Sequence, residues 1–553
     1  MSELSLVIRN ARIVDGTGAP AFAGAIGIAG DRIAEVGAVP GAGAVEIDAG
    51  GRVAAPGFID IHTHYDPQLC WDRLANPSPE HGVTTLVMGN CSIGLAPVRP
   101  ADRGRLIQLF GSVEDMEGRL LESTVPFQWE TVPEYLAWLG RDLGPNVGVL
   151  IGHSVLRLYA MGAASQERAA TDAEIEAMCA LLREAMAAGA FGLSYTYAHL
   201  DECGRPLPCE FADRRERLAL MRVLAEAGRG VVEVAPRLSR RREADAQIDD
   251  FGSLALETGV KCTLNAILQS PATGTRWREL LARVNGWRAR GAPLYAQVQT
   301  RPLDMTVELA KGSALFSKCP TWRRALDLPI ADRVATFADR SLRAQLQSEL
   351  RPYQKVLDQF TVRQVKSGAN ARYLGARVAE VAERESRSYT DVLLDIAVAD
   401  DLQTQFSVTD YMHADVDAVG VLLDHPAVHI GAGDAGAHIT QFAGVGDTCY
   451  LFEQFVRKHR VLSLERAVQR LTGEIARDWC IADRGVLVPG RYADVVLFDP
   501  DTIARGEEQW VDDVPGGNGR YVRRPQGVEC TIVNGQVVVD RGRYTAARPG
   551  RII

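Results

Sequence analysis

His62, Thr63 and His64 close the run Gly57-Phe58-Ile59-Asp60-Ile61 and place two imidazoles one residue apart. In an extended chain alternate side chains face the same way, so both rings would present nitrogen to one point, and neutral imidazole is a good zinc ligand. A hydrogen-bonded histidine pair is the plain alternative. Asp66 follows closely enough to act as an outer or substrate-facing group. Cys91, in Met88-Gly89-Asn90-Cys91-Ser92, could bind or bridge a metal as a thiolate, although a lone cysteine is more often a small buried apolar residue. Asp434, in Gly433-Asp434-Ala435-Gly436-Ala437-His438, could hold the same ion and take a proton from water as a general base, or simply cap the turn.

Other polar residues are weaker candidates. His199, in Tyr195-Thr196-Tyr197-Ala198-His199, and His438 could orient a substrate or stabilise an oxyanion. Arg237 and Arg301 could grip a substrate carboxylate through two hydrogen bonds, or sit in surface ion pairs.

The elements that must position these residues read as eight apolar, β-branched runs: 57–64, 83–90, 147–153, 191–195, 231–235, 260–266, 294–298 and 428–434. Helical stretches alternate with them, with capping boxes expected at Thr171/Glu174 and Asp213/Glu216. Ser463 likewise precedes the helical stripe Leu464, Ala467, Val468, Leu471 and Ile475. Eight strands alternating with helices predict an α/β fold, a (β/α)8 TIM-like barrel whose chemistry lies at the carboxyl ends of its strands. Residues 299–427 are too long for a connection and predict a helical insertion. Short strands at 4–50 and again at 493–545, with Asn534-Gly535 as a hairpin turn, predict a small β-sandwich built from both chain termini. The expected division is 1–56 and 485–553 for the β-sandwich, with 57–484 for the barrel.

With 553 residues, a net charge of -9, 46% hydrophobic and 24% charged residues, the chain reads as an ordinary soluble protein of more than one domain. The acidic balance argues against nucleic-acid partners, and no apolar stretch is long enough to suggest a membrane span or signal peptide. Ten scattered cysteines without CxxC pairs fit reduced thiols and a cytoplasmic location.

The sequence resembles the amidohydrolase superfamily, and within it the N-acyl-D-amino-acid deacylases. The likeness is carried by APGFIDIHTHYD, HGVTTLVMGNC, LIGHSVLRLYAMG, GAGDAGAH, RLTGEIARDWCIADRGVLVPGRYADVVLFDP, VNGQVV and the closing RPGR. It runs from about residue 5 to the end, specific at both flanks and weaker through 200–420. It implies a metal-dependent barrel with one or two Zn2+ ions and hydrolysis of an N-acyl amide bond. It also implies His62, His64 and Cys91 as metal-site residues, Asp434 as the acid/base, and His153 and Arg157 near the substrate pocket. The expected partner is a small N-acyl or amide substrate carrying a carboxylate, with a homo-oligomer left open.

In those deacylases the fifth and sixth strands end in Thr-His-x-Arg and Ser-His-x-Lys, each histidine being a ligand. Here the matching stretches are Val234-Ala235-Pro236-Arg237 and Asn265-Ala266-Ile267-Leu268, and no histidine lies between His199 and His413. Three readings follow: one metal on His62, His64 and Asp434 with Cys91; a replacement donor such as Glu233, which shares the facing of Ala235; or a metal-free binding barrel. A cyclic amide hydrolase, lactonase or deaminase would use the same metal and base.

Overall fold

A computed structural model of the chain describes residues 3–553 except 115, 117, 271, 272, 312, 313, 317, 318, 410 and 411. All eight expected runs are strands of one parallel sheet: β1 (Phe58–Asp60), β2 (Val83–Met88), β3 (Asn146–Gly152), β4 (Gly192–Thr196), β5 (Val231–Ala235), β6 (Lys261–Leu264), β7 (Leu294–Val298) and β8 (Val428–Ile430). They neighbour one another in sequence order. β1 and β8 share no ladder, but just beyond their ends Thr63 bridges Ala435, and the His64 amide donates to the Ala435 carbonyl at 2.7 Å. The barrel is therefore closed by the segments that carry the His-x-His pair and Asp434.

The strands are nearly continuous apolar runs because both faces are covered, by helices outside and by side chains within. Ile59, Ile61, Val87, Leu150 and Val231 form a core with Phe191, Ile475, Trp479 and Ile481. The expected stripe from Leu464 to Ile475 is buried on the helices Leu464–Leu471 and Gly473–Asp478. Thr171 and Glu174 make the expected capping box. At the second site only half the box forms. Asp213 accepts from the Glu216 amide, but the Glu216 carboxylate turns inward to His153 and Arg157 instead of back to the cap.

The insertion has its own core, built on Phe316, Trp322, Phe337, Leu346, Phe360 and Phe406. Helices at Pro320–Leu326, Ile330–Ala338 and Tyr389–Ala399 match the expected helical texture. The structure adds a three-stranded antiparallel sheet, Met305–Glu308, Gln405–Val408 and Thr361–Gln364. These strands are four residues each, too short for alternation to stand out from the helical segments around them. The last helix of the segment, Val416–Leu423, packs into the main core and so belongs to the barrel's helix layer.

Strands from both ends of the chain form one nine-stranded sheet, in which Val495–Phe498 pairs antiparallel with Val53–Pro56. The Asn534-Gly535 turn occurs as expected, both residues having positive φ (44° and 79°). A buried polar knot joins this sheet to the barrel. Asp494 accepts from the Asn534 amide at 2.8 Å and from the Asn146 side chain, and pairs with Arg484. A second hairpin, Glu508–Val514 with Asn518–Arg523, projects from the C-terminal strands and docks against the Asp434 loop, the Tyr521 amide donating to the Ile439 carbonyl at 2.8 Å.

Candidate metal centre

The end of β1, the turn after β2 and the turn after β8 meet at one point. His62 Nε2 lies 3.2 Å and His64 Nε2 3.6 Å from the same oxygen, Asp434 Oδ1. Cys91 Sγ lies 3.8 Å from His62 Nε2, and ligand atoms of His62, His64 and Cys91 all fall within 4.8 Å of one another. Both histidines and Cys91 are buried, while the Asp434 side chain is 31% exposed and so faces both the cluster and the barrel mouth. Backbone conformation helps to aim these groups: Asp434 (φ 57°) and Cys91 (φ 55°) both adopt the left-handed region. Such conformations are costly for residues with a Cβ and persist where the surroundings impose them.

Each imidazole has an oxygen at its far nitrogen. Gln297 Oε1 is 3.1 Å from His62 Nδ1, and Glu114 Oε1 is 3.0 Å from His64 Nδ1. The Gln297 oxygen can accept from His62 Nδ1, which in the neutral tautomer leaves the His62 Nε2 lone pair available to a cation, while Glu114 acts on His64 through its charge. Carboxylate and amide partners of this kind orient metal-binding histidines. The electrostatics of the cluster agree. Burial pushes His62 down, but the Asp434 hydrogen bond, Cys91 and the Asp434 charge prevail and raise it to about 10. His64 is held well above its ordinary value against the same burial, by Glu114, Asp434 and Cys91. Asp434 is held well below the carboxylate range, because the two imidazoles outweigh its burial. These atoms favour a positive charge at their centre, and a divalent cation would take the place of the protons. The donor set, two imidazoles, a carboxylate and a thiol, fits zinc.

Other buried acids surround the cluster. Glu233 faces the barrel interior in register with Ser194 and Thr263 on the neighbouring strands. Its Oε2 accepts from the Cys91 amide at 3.0 Å, Oε1 has no partner, and burial pushes the carboxyl up to about 7. Asp66 accepts from the Gly89 amide at 3.2 Å and is likewise raised to about 7 by burial. His199 faces the same charges; burial lowers it to about 4, and Nδ1 is 2.8 Å from the Thr196 hydroxyl. The His438 amide donates to the Glu114 carbonyl, and its ring packs beside Phe442.

Four expected substrate contacts are placed elsewhere. His153 and Arg157 are fully buried on the helix side of the barrel, where both bind Glu216 and His153 packs on Tyr195. The physical reason is strand alternation: Ser194 points inward, toward the Gly89 carbonyl, so the next residue Tyr195 points out and draws His153 with it. Arg237 is taken up by Glu210, Glu243 and the Tyr197 carbonyl, which leaves no fork for a carboxylate. Arg301 is buried and holds the Asp434 loop, donating to the Gly433 carbonyl at 2.7 Å and to Asp447 at 3.0 Å. The reading of single residues missed Glu114 and Gln297. A polar residue in the apolar run Leu294–Val298 was the available signal for Gln297; the end of a helix gave none for Glu114.

Comparison with known proteins identifies the family. Residues 45–539 match the amidohydrolase family. An N-acyl-D-aspartate deacylase of Alcaligenes xylosoxydans xylosoxydans is 28% identical, the alignment covering 100% of this chain and 95% of the relative. A solved D-aminoacylase, described for its binuclear metal centre, superposes with a TM-score of 0.66 at 25% identity, over 99% of each chain. An N-acyl-D-glutamate deacylase of Bordetella bronchiseptica, solved with zinc and a phosphonate mimic of the tetrahedral intermediate, gives 0.65 at 26%, over 100% of this chain and 99% of that one. With the barrel, the convergent histidines and a match over most of its length, the chain belongs to the amidohydrolase family, a hydrolase of non-peptide C–N bonds.

Proposed function

We propose that this chain removes the acyl group from an N-acyl-D-amino acid or a closely related N-acyl compound, with His62, His64, Cys91 and Asp434 holding a divalent cation, zinc in the first instance, and Asp434 serving as acid/base. The observation that carries the reading is the convergence of two imidazole Nε2 atoms on one oxygen of a carboxylate that also opens to the barrel mouth. The similarity to deacylases of N-acyl-D-aspartate and N-acyl-D-glutamate supports the substrate class.

A cation held by these residues would polarise the amide carbonyl and lower the pKa of the attacking water, so that a carboxylate base can take its proton. Asp434 accepts the proton of the attacking water and delivers it to the leaving nitrogen, which requires a carboxylate that stays ionised until the attack. Its placement between two imidazoles provides that. Gln297 keeps the His62 ring from rotating, and the Glu114 carboxylate lies 3.0 Å from His64 Nδ1. His199 and His438 flank the cluster as donors for the developing oxyanion, and neutral His199 is suited to donate without competing for the cation.

We place the enzyme in the cytoplasm, with which its ten unpaired cysteines are consistent. Among the described residues no helix is long and apolar enough to cross a membrane.

The test is amine release from paired N-acetyl-D- and N-acetyl-L-amino acids by the metal-loaded protein. Release from D substrates, lowered about 10³-fold or more in Asp434→Asn, is the expected outcome. Turnover confined to L substrates, or an Asp434→Asn variant as fast as the parent, would overturn the reading.

A further inference from the structure

The resemblance to the deacylases expects imidazoles where this chain has Ala235 and Ala266, so the Cys91 side of the centre lacks two donors. Glu233 stands two residues before Ala235 on the same strand and is completely buried. It forms a layer with Ser194 and Thr263, its register partners on β4 and β6. A carboxylate this deep is stable only if its charge is matched and its oxygens are bound. One oxygen meets that requirement, since Oε2 accepts from the Cys91 backbone amide at 3.0 Å. The other does not: Oε1 is buried without a hydrogen-bond partner. No arginine or lysine is among the charges that act most strongly on Glu233; those are His62, His64 and Asp434, the groups of the centre itself.

Fixing Oε2 to the Cys91 amide ties the carboxylate to the same turn that presents the Cys91 thiol. Asn265, just past the end of β6, brings its amide nitrogen within 3.2 Å of His62 Nε2.

We propose that the Glu233 carboxylate is a metal ligand on the Cys91 side of the centre, binding a divalent cation through Oε1 and supplying a donor that Ala235 and Ala266 cannot. This rests on the reading that a cation sits among His62, His64, Cys91 and Asp434. The exchange replaces two neutral imidazoles by one anionic oxygen beside an anionic sulfur, so the site's own charge, and not only its geometry, differs from a histidine-rich one.

The test is a Co2+ titration of the full-length, chelator-stripped protein, read by the sulfur-to-cobalt charge-transfer absorption, which reports only a cation touching a thiolate. Glu233→Gln keeps the volume and can still accept the Cys91 amide, so it removes the anionic oxygen and little else; the thermal melt of the stripped protein checks its fold. Should it fail to fold, Glu233→Asp, which keeps the charge but withdraws the oxygens by one methylene, carries the same test.

Loss of an outer partner of a metal ligand costs 10- to 100-fold in affinity, so loss of a ligand should shift half-saturation by at least about 100-fold. Cys91→Ser should abolish the band. A Glu233→Gln curve that overlays the parent's, with the band lost in Cys91→Ser, would overturn the inference and leave the metal site standing. A parent that binds no cobalt, or a His62→Ala variant that titrates like the parent, would overturn the reading beneath it and the inference together.

Discussion

Glu114 and Gln297 do no chemistry, yet Gln297 fixes the His62 ring through its far nitrogen and Glu114 places a carboxylate 3.0 Å from the far nitrogen of His64. Replacing Gln297 with Leu would leave the His62 ring free to turn and its Nδ1 proton without an acceptor. Metal affinity measured by competition with a chromophoric chelator should fall 10- to 100-fold, with the fold retained. At this scale the sequence was readable where residue type and spacing coincide. His62, His64, Cys91 and Asp434 meet because each ends or follows a strand, and strand ends are where barrels converge. The inward facing of Glu233 was readable for a related reason, since it follows from the alternation that also sets Ala235. Glu114 was not, because it approaches from a helix whose docking angle no local pattern encodes. His153 and Arg157 show the reverse failure: motif position suggested the pocket, while the outward turn of Tyr195 put them behind the barrel wall.

The elements carry these residues into place, and their junctions bear the strain. The helix Arg214–Ala227 begins with Asp213 as its cap and sends Glu216 across to the helix that follows β3. In that buried triad burial pushes the Glu216 carboxyl up, but its hydrogen bond and charge pairing with His153 and the Arg157 charge prevail, so it is held below its ordinary value. His153 is also lowered, by its burial. Both groups therefore bind fewer protons when folded than when unfolded, and stability rises with pH across their windows. Glu216's contribution is complete above its unfolded value of 4.5 and is lost as the pH falls through the folded one. Melting temperature should drop between pH 5 and pH 3, and Glu216→Gln should flatten that drop. At pH 7 the same variant leaves Arg157 buried without its counterion, at a cost of about 3–5 kcal/mol, which a denaturant titration would read. Eight strands and the capping box at Thr171 followed from local sequence. The insertion's small sheet did not, because strands of four residues show too few alternations, and the hairpin Glu508–Arg523 was hidden by its charged and glycine-rich sequence.

For the whole molecule, the knot at Asp494 makes the flanking sheet and the barrel dependent on each other. Asp494→Ala would leave Arg484, 5% exposed, without its carboxylate and the Asn534 backbone amide without its acceptor. It should destabilise by about 3–5 kcal/mol, and calorimetry should show the knot's loss as a lowered or divided transition. The sheet itself has a further consequence during synthesis. Val53–Pro56 leaves the ribosome early, but the strand that covers its open edge, Val495–Phe498, is more than four hundred residues downstream. At cellular elongation rates of about 5–20 residues per second that edge waits on the order of 20–90 s for its partner. Through that interval the nascent chain offers unpaired backbone to any neighbour able to add a strand. Yield of active enzyme should therefore depend on translation speed and on chaperones that occupy the emerging N-terminal segment.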